Sequence, residues 1–244
     1  MRYYRYKMQW RYTESRIKYP KFVFETILDY VKKSLGKSPK YPLAVDVGCG
    51  PELMSTVFLA PYFDKVLGVD ISESQIEQAT LNNKHSNIEY RLSAAESLPV
   101  EDNSVTLIQV ATALHWFDLD KFYRECDRVL VPGGVVAAFC YAFKDFPIVN
   151  HPHGDEIHKV LTKITDKLVS PDINPYYTEH CTWVLNRYTS PEVQIPYKDT
   201  KRLMEAYETD DPEAPLTYKL EVFMLLGRTP ILYNYLISSH CMHE

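Results

Sequence analysis

Leu43-Ala-Val-Asp-Val-Gly-Cys-Gly-Pro51 is the stretch whose reading decides the fold. It opens as a short apolar, partly β-branched run suited to a buried parallel strand, and it ends in two glycines one residue apart. The pattern predicts a strand feeding a tight turn. Gly48 and Gly50 can take positive φ there and let a ligand lie against the main chain. The following Leu53-Met-Ser-Thr-Val-Phe-Leu-Ala60 predicts a helix whose N-terminus opens on the same space. Together they predict a nucleoside-cofactor site.

Outward from this turn, strand and helix signals alternate. Phe24, Ile27, Leu28, Val31 and Leu35 recur at helical spacing before Gly36, predicting a helix over 21–35. Lys65–Asp70 predicts a second buried strand, and Ser72 with Gln75 predicts a capping box for a helix over 73–83. Strands are expected at 88–92, 105–111 and 134–140, with a helix at 119–129. This order predicts an α/β, Rossmann-like, doubly wound, mostly parallel sheet with helices on both faces. Four parts are expected: an N-terminal arm (1–20), the cofactor-binding core (21–142), a proline-interrupted lid (143–200) with one helix near 155–169, and a C-terminal part of the core (201–244). Residues 201–209 read as a strand or short helix and 216–226 as a helix. The sheet is therefore expected to be short or incomplete at its C-terminal edge, as in a truncated form.

Composition narrows the function. Of 244 residues 45% are hydrophobic and 24% charged, as in a folded domain, and the formal net charge of −5 disfavours a nucleic-acid partner. Cys49, Cys126, Cys140, Cys181 and Cys241 are scattered without a CxxC pair, which fits reduced thiols. No apolar run approaches the roughly 20 residues that span a bilayer, and no signal-peptide core opens the chain, so the expectation is a soluble, cytoplasmic protein with no membrane partner. His151, His153 and His158, with His180-Cys181, lack the regular four-ligand spacing of a structural zinc site, so no metal is expected.

The cofactor follows from the glycine spacing. A dinucleotide turn needs a third glycine where Leu53 stands, so a nicotinamide oxidoreductase is disfavoured. Asp46 precedes the turn, and Asp70 ends the next strand, where a carboxylate can accept both hydroxyls of a ribose. Other readings stay open: Asp46 as a turn cap, Asp70 as a helix-start residue, His115 as a packed polar residue and Trp116 as core.

Val45-Asp-Val-Gly-Cys-Gly50, Val69-Asp70, Ser93-Ala-Ala-Glu-Ser-Leu-Pro99, Ala113-Leu-His-Trp-Phe-Asp118 and Arg128-Val-Leu-Val-Pro-Gly-Gly134 resemble the class I S-adenosylmethionine-dependent methyltransferases. More narrowly, the His-Trp pair and Tyr12-Thr-Glu-Ser-Arg-Ile-Lys-Tyr-Pro20 are similar to the small-molecule branch related to trans-aconitate methyltransferases. The resemblance implies methyl transfer from S-adenosylmethionine to a small molecule. It places the turn of Asp46, Gly48, Cys49 and Gly50 at the amino-acid end of the cofactor, Asp70 and Ile71 at the ribose and adenine, Ala95 and Glu96 at the adenine edge, and His115 and Trp116 at the methyl. The chain departs from the family at Glu52, where a glycine is usual, at Thr106 in place of aspartate and at Val131 in place of lysine. Glu52 motivates the alternative of a catalytically impaired methyltransferase-like binding or regulatory protein.

Overall fold

A computed structural model describes residues 19–51, 54–141, 147–148, 151–168, 183, 201–208 and 219–229. The expected arm up to Lys18, Glu52 and Leu53, His180-Cys181, most of the lid and the C-terminal segment after Thr229 lie outside the described residues.

Helix α1 (Lys21–Leu35) turns Val23, Phe24, Ile27, Leu28, Tyr30 and Val31 inward and stops at Gly36, which has φ 84°. Strand β1 (Tyr41–Val47) leads into the glycine turn, followed by α2 (Met54–Leu59), β2 (Phe63–Asp70), α3 (Glu73–Asn82) and β3 (Ile88–Leu92). Then come β4 (Val105–Ala111), a 3-10 turn (Leu114–Trp116), α4 (Leu119–Val129) and β5 (Leu130–Tyr141). Helix α5 (Gly154–Leu168) and strands β6 (Lys201–Glu208) and β7 (Lys219–Arg228) complete the described elements.

The seven strands lie in the order β3-β2-β1-β4-β5-β7-β6. The first five pair in parallel, and β7 joins β5 and β6 antiparallel. Successive residues of the central strands point to opposite faces. Thus Val136, Ala138 and Cys140 of β5 pack with α4, while Val135, Ala137 and Phe139 pack with α1. Both faces of the sheet are covered, which explains the continuous apolar runs in β1, β4 and β5.

Two expectations are corrected here. Residues 219–226 of the segment expected as a helix at 216–226 belong to β7, so the C-terminal edge that looked short is closed by an antiparallel pair. Its run of apolar residues carries no clear period, and its place between β5 and β6, with Met224, Leu225 and Leu226 buried, selects the strand. The capping box of α3 does not form either. Ser72 makes no side-chain cap bond, and its hydroxyl meets Ser74 Oγ at 3.2 Å instead.

Gly68 of β2 lies opposite Tyr90 of β3, and a Cβ at Gly68 would stand 2.6 Å from two atoms of the Tyr90 ring. Gly68→Ala is therefore expected to cost about 1–3 kcal/mol through overpacking. For a chain of this size each kcal/mol corresponds to about 2–4 °C in Tm. Thermal unfolding of the variant at the wild-type Tm would refute this packing.

Candidate active site

The site begins where β1 ends. Gly48 and Gly50 adopt φ of 72° and 66°, and the amides of Gly48 and Cys49 both donate to Val69 O, at 2.8 and 3.0 Å. The turn is thereby folded back onto the end of β2. A Cβ on Gly48 would stand 2.5 Å from Ala113 Cβ, so only glycine lets the turn and the segment after β4 approach this closely. Gly50 N donates to Asp70 Oδ2 at 3.0 Å and Ser72 N to Asp70 Oδ1 at 2.9 Å. The carboxylate is held by two backbone amides and retains lone pairs for further donors.

Above the turn, at the carboxyl ends of the strands, lies a cleft of about 250 Å³. It sits where the chain, having run outward from β1 through β2 to β3, returns to β4, the position at which open α/β sheets bind ligands. The cleft brings together Gly48, Gly50, Asp70, Ile71, Ala95, Glu96 and Trp116. Ile71 is 78% exposed and Trp116 57%, so both offer apolar surface to a bound group. Glu96 Oε1 also accepts from Asp118 N at 2.9 Å, which ties the segment after β3 to the N-cap of α4.

Three expected residues are placed behind the lining. Cys49 is buried beneath the turn, where burial, followed by the nearby Asp46 and Asp70 carboxyls, pushes its thiol well up. His115 is only 6% exposed, in the 3-10 turn, with its ring centroid 4.9 Å from that of Trp116. Asp46 is fully buried. Its Oδ2 accepts from Ser55 Oγ at 2.9 Å and Thr56 Oγ1 at 2.6 Å, tying the first turn of α2 to β1.

Asp46 Oδ1 has no hydrogen-bond partner, and neither amide atom of Gln109, its register neighbour on β4, closes a bond. Burial pushes the Asp46 carboxyl up, against the Thr56 and Ser55 hydroxyls and the nearby Gln109 side chain, which favour its charged form.

Gln75, Ser93, Thr112 and Phe117 also line the cleft, and the sequence reading gave none of them a role in the site. The signal for Thr112 was its place at the carboxyl end of β4. Its backbone is left-handed, with φ 53°, an arrangement costing a β-branched residue on the order of 1–3 kcal/mol. Phe139 O accepts its amide at 2.8 Å and its hydroxyl meets that of Tyr19. Among the described residues no group of three or more potential metal ligands occurs, and no described helix is long and apolar enough to cross a membrane.

The raised Asp46 carboxyl has a defined sign. A folded-state pKa above the unfolded value means that stability is lost as pH rises from the ordinary carboxylate range through the raised value. Asp46→Asn is expected to remove that component, so the Tm difference, variant minus wild type, rises across this window. Parallel Tm–pH curves for the two proteins would contradict it.

Comparison with known proteins agrees with this fold. The family profile described as a methyltransferase domain matches residues 45–138, from β1 into β5. A Saccharomyces cerevisiae protein assigned by name to the S-adenosylmethionine-dependent methyltransferases is 28% identical over 148 residues, which are 56% of this chain and 47% of that protein. The match thus spans less than half the length of that relative. A solved structure from Anaeromyxobacter dehalogenans, assigned by name to the type II methyltransferases, shares the fold. Its TM-score is 0.61 at 24% identity, covering 88% of this chain and 99% of that one. A Dictyostelium discoideum protein assigned by name to the methyltransferases is 42% identical over 224 residues, covering 78% of this chain and 83% of that protein. With that degree of identity over most of both chains, and with this sheet order, the chain belongs to the methyltransferase family and has the fold of its class I S-adenosylmethionine-dependent members.

Proposed function

We propose that the protein transfers a methyl group from S-adenosylmethionine to a small-molecule acceptor. The observation that carries this is Asp70, held by Gly50 N and Ser72 N at the mouth of a turn that leaves no room for a Cβ at Gly48. The residues present fit the cofactor. Gly48 and Gly50 cradle its amino-acid end, with Asp46 and its orphaned Oδ1 beneath them. Asp70 accepts the ribose hydroxyls, the exposed Ile71 covers a flat heteroaromatic face, and Ala95 and Glu96 flank its edge.

When bound, S-adenosylmethionine supplies a methyl group on a sulfonium, transferred by in-line displacement. The contribution of the protein is placement, worth up to about 7–11 kcal/mol in favourable cases. Trp116 walls the reacting end, and His115 supports it from behind. The polar groups lining the described cleft are Asp70, Gln75, Ser93, Glu96 and Thr112, and both carboxylates already accept backbone amides. An acceptor that arrives already ionised needs no base, which favours a carboxylate. The likeness of the His-Trp pair to the trans-aconitate branch points the same way. Net charge of −5 disfavours a nucleic-acid acceptor.

Calorimetry with S-adenosylmethionine tests the reading. Wild-type protein is expected to bind it, and Asp70→Ala to bind about ten- to a hundredfold more weakly, as loss of hydrogen bonds to a charged group implies. Absence of heat with folded wild-type protein sinks the proposal. Incubation with aconitate-like polycarboxylic acids should yield a methyl ester visible as a 14-dalton gain, about one CH₂ in mass.

A further inference from the structure

The segment between β3 and β4 brings Ser93, Ala95 and Glu96 to the cleft, yet it lies outside the sheet ladder. What holds it is α4. At the N-terminal end of that helix Glu96 Oε1 accepts from Asp118 N. At the other end Arg128 grips the segment. Its Nη2 donates to Leu98 O at 3.0 Å, and its Nη1 donates to Val100 O at 3.0 Å and Asp102 Oδ1 at 2.7 Å. The same guanidinium binds both oxygens of Glu125, from Nε at 2.9 Å and Nη2 at 2.6 Å, while Glu125 Oε1 accepts from Leu98 N at 2.6 Å. An isolated surface ion pair contributes little. This one is bidentate, its carboxylate is buried, and it closes on two backbone carbonyls and a backbone amide.

We propose that Arg128 is a positioning residue of the cofactor site: it splints the 93–100 segment onto α4 so that Ala95 and Glu96 stand where the adenosine half of the cofactor is held. Arg128 is not among the residues lining the cleft and acts only through this segment. Without the guanidinium, Leu98 O and Val100 O lose these donors and Glu125 loses its cation. Ligand binding then has to order the segment, and the affinity for the adenosine half falls. The inference rests on the proposed function above.

S-adenosylhomocysteine and adenosine serve as probes in calorimetry on the full chain. Hydrogen exchange is read at the 93–100 amides and in β1 and β4. Arg128→Ala is expected to weaken both probes about tenfold. The 93–100 amides exchange faster and those of β1 and β4 stay protected. Arg128→Lys, which keeps the charge and loses the fork, falls between the two. Asp102→Asn removes the charge of the exposed partner and leaves affinity within about twofold. Unchanged affinity in a folded Arg128→Ala variant overturns the inference, as does faster exchange throughout β1 and β4. If Arg128→Ala does not fold, Arg128→Lys decides, and wild-type affinity there overturns it. Failure of the wild type to bind S-adenosylhomocysteine overturns the proposed function and this inference together, whereas wild-type binding with indifferent variants overturns the inference alone.

Discussion

The contact between the backbone of Gly48 and the Cβ of Ala113 sets the geometry on which the site depends. At 2.5 Å from where a Cβ would stand, the end of β1 and the segment after β4 are as close as main chain allows. That approach brings the glycine turn to one side of the cleft and Trp116 to another, and it leaves the amides of Gly48 and Cys49 free to reach Val69 O. The central position of β1 in the sheet makes this contact possible, because its neighbours β2 and β4 come from opposite directions of winding.

Beneath the turn the structure keeps polar groups in a buried layer. Asp46 accepts two hydroxyl bonds yet leaves Oδ1 without a donor, and the Gln109 amide beside it is also unmatched. Unmet groups of this kind cost about 1–3 kcal/mol each by protein mutational measures. The layer lies directly under the proposed amino-acid end of the cofactor, where a cationic group would relieve the buried carboxyl. Thr112, just past the end of neighbouring β4, adds backbone strain at the same edge. Stability is lowered at the carboxyl ends of the strands, and the apolar layers on both faces of the sheet offset it.

Helix α4 belongs to both halves of this arrangement. Phe122, Cys126 and Val129 anchor it to the core, while Asp118 N, Glu125 and Arg128 hold the segment that carries Ala95 and Glu96. A rigid element thus positions a segment with little regular structure, which is how side chains outside a ladder can keep a defined place.

The local code determined most of the fold. The bounds of α1, β3, β4 and α4 follow from apolar periodicity and Gly36, because the inward faces of these elements are complete within each stretch. The glycine turn was legible for a related reason: two spaced glycines and a carboxylate at the end of the next strand are a pattern written at short range. Tertiary structure alone decided the remainder. The apolar run ending in Met224-Leu225-Leu226 became β7 because β5 and β6 offered unpaired edges. Gln75 faces the cleft, and no capping box forms, where Asp70 receives Ser72 N. His115 turned inward and Trp116 outward because a 3-10 turn, whose side chains no heptad or alternation predicts, aims neighbours in different directions. Arg128 was read as part of a motif, but its five bonds reach across 3 to 30 residues of sequence. Composition and periodicity carry local preference, whereas such contacts exist only once the sheet has brought distant segments together.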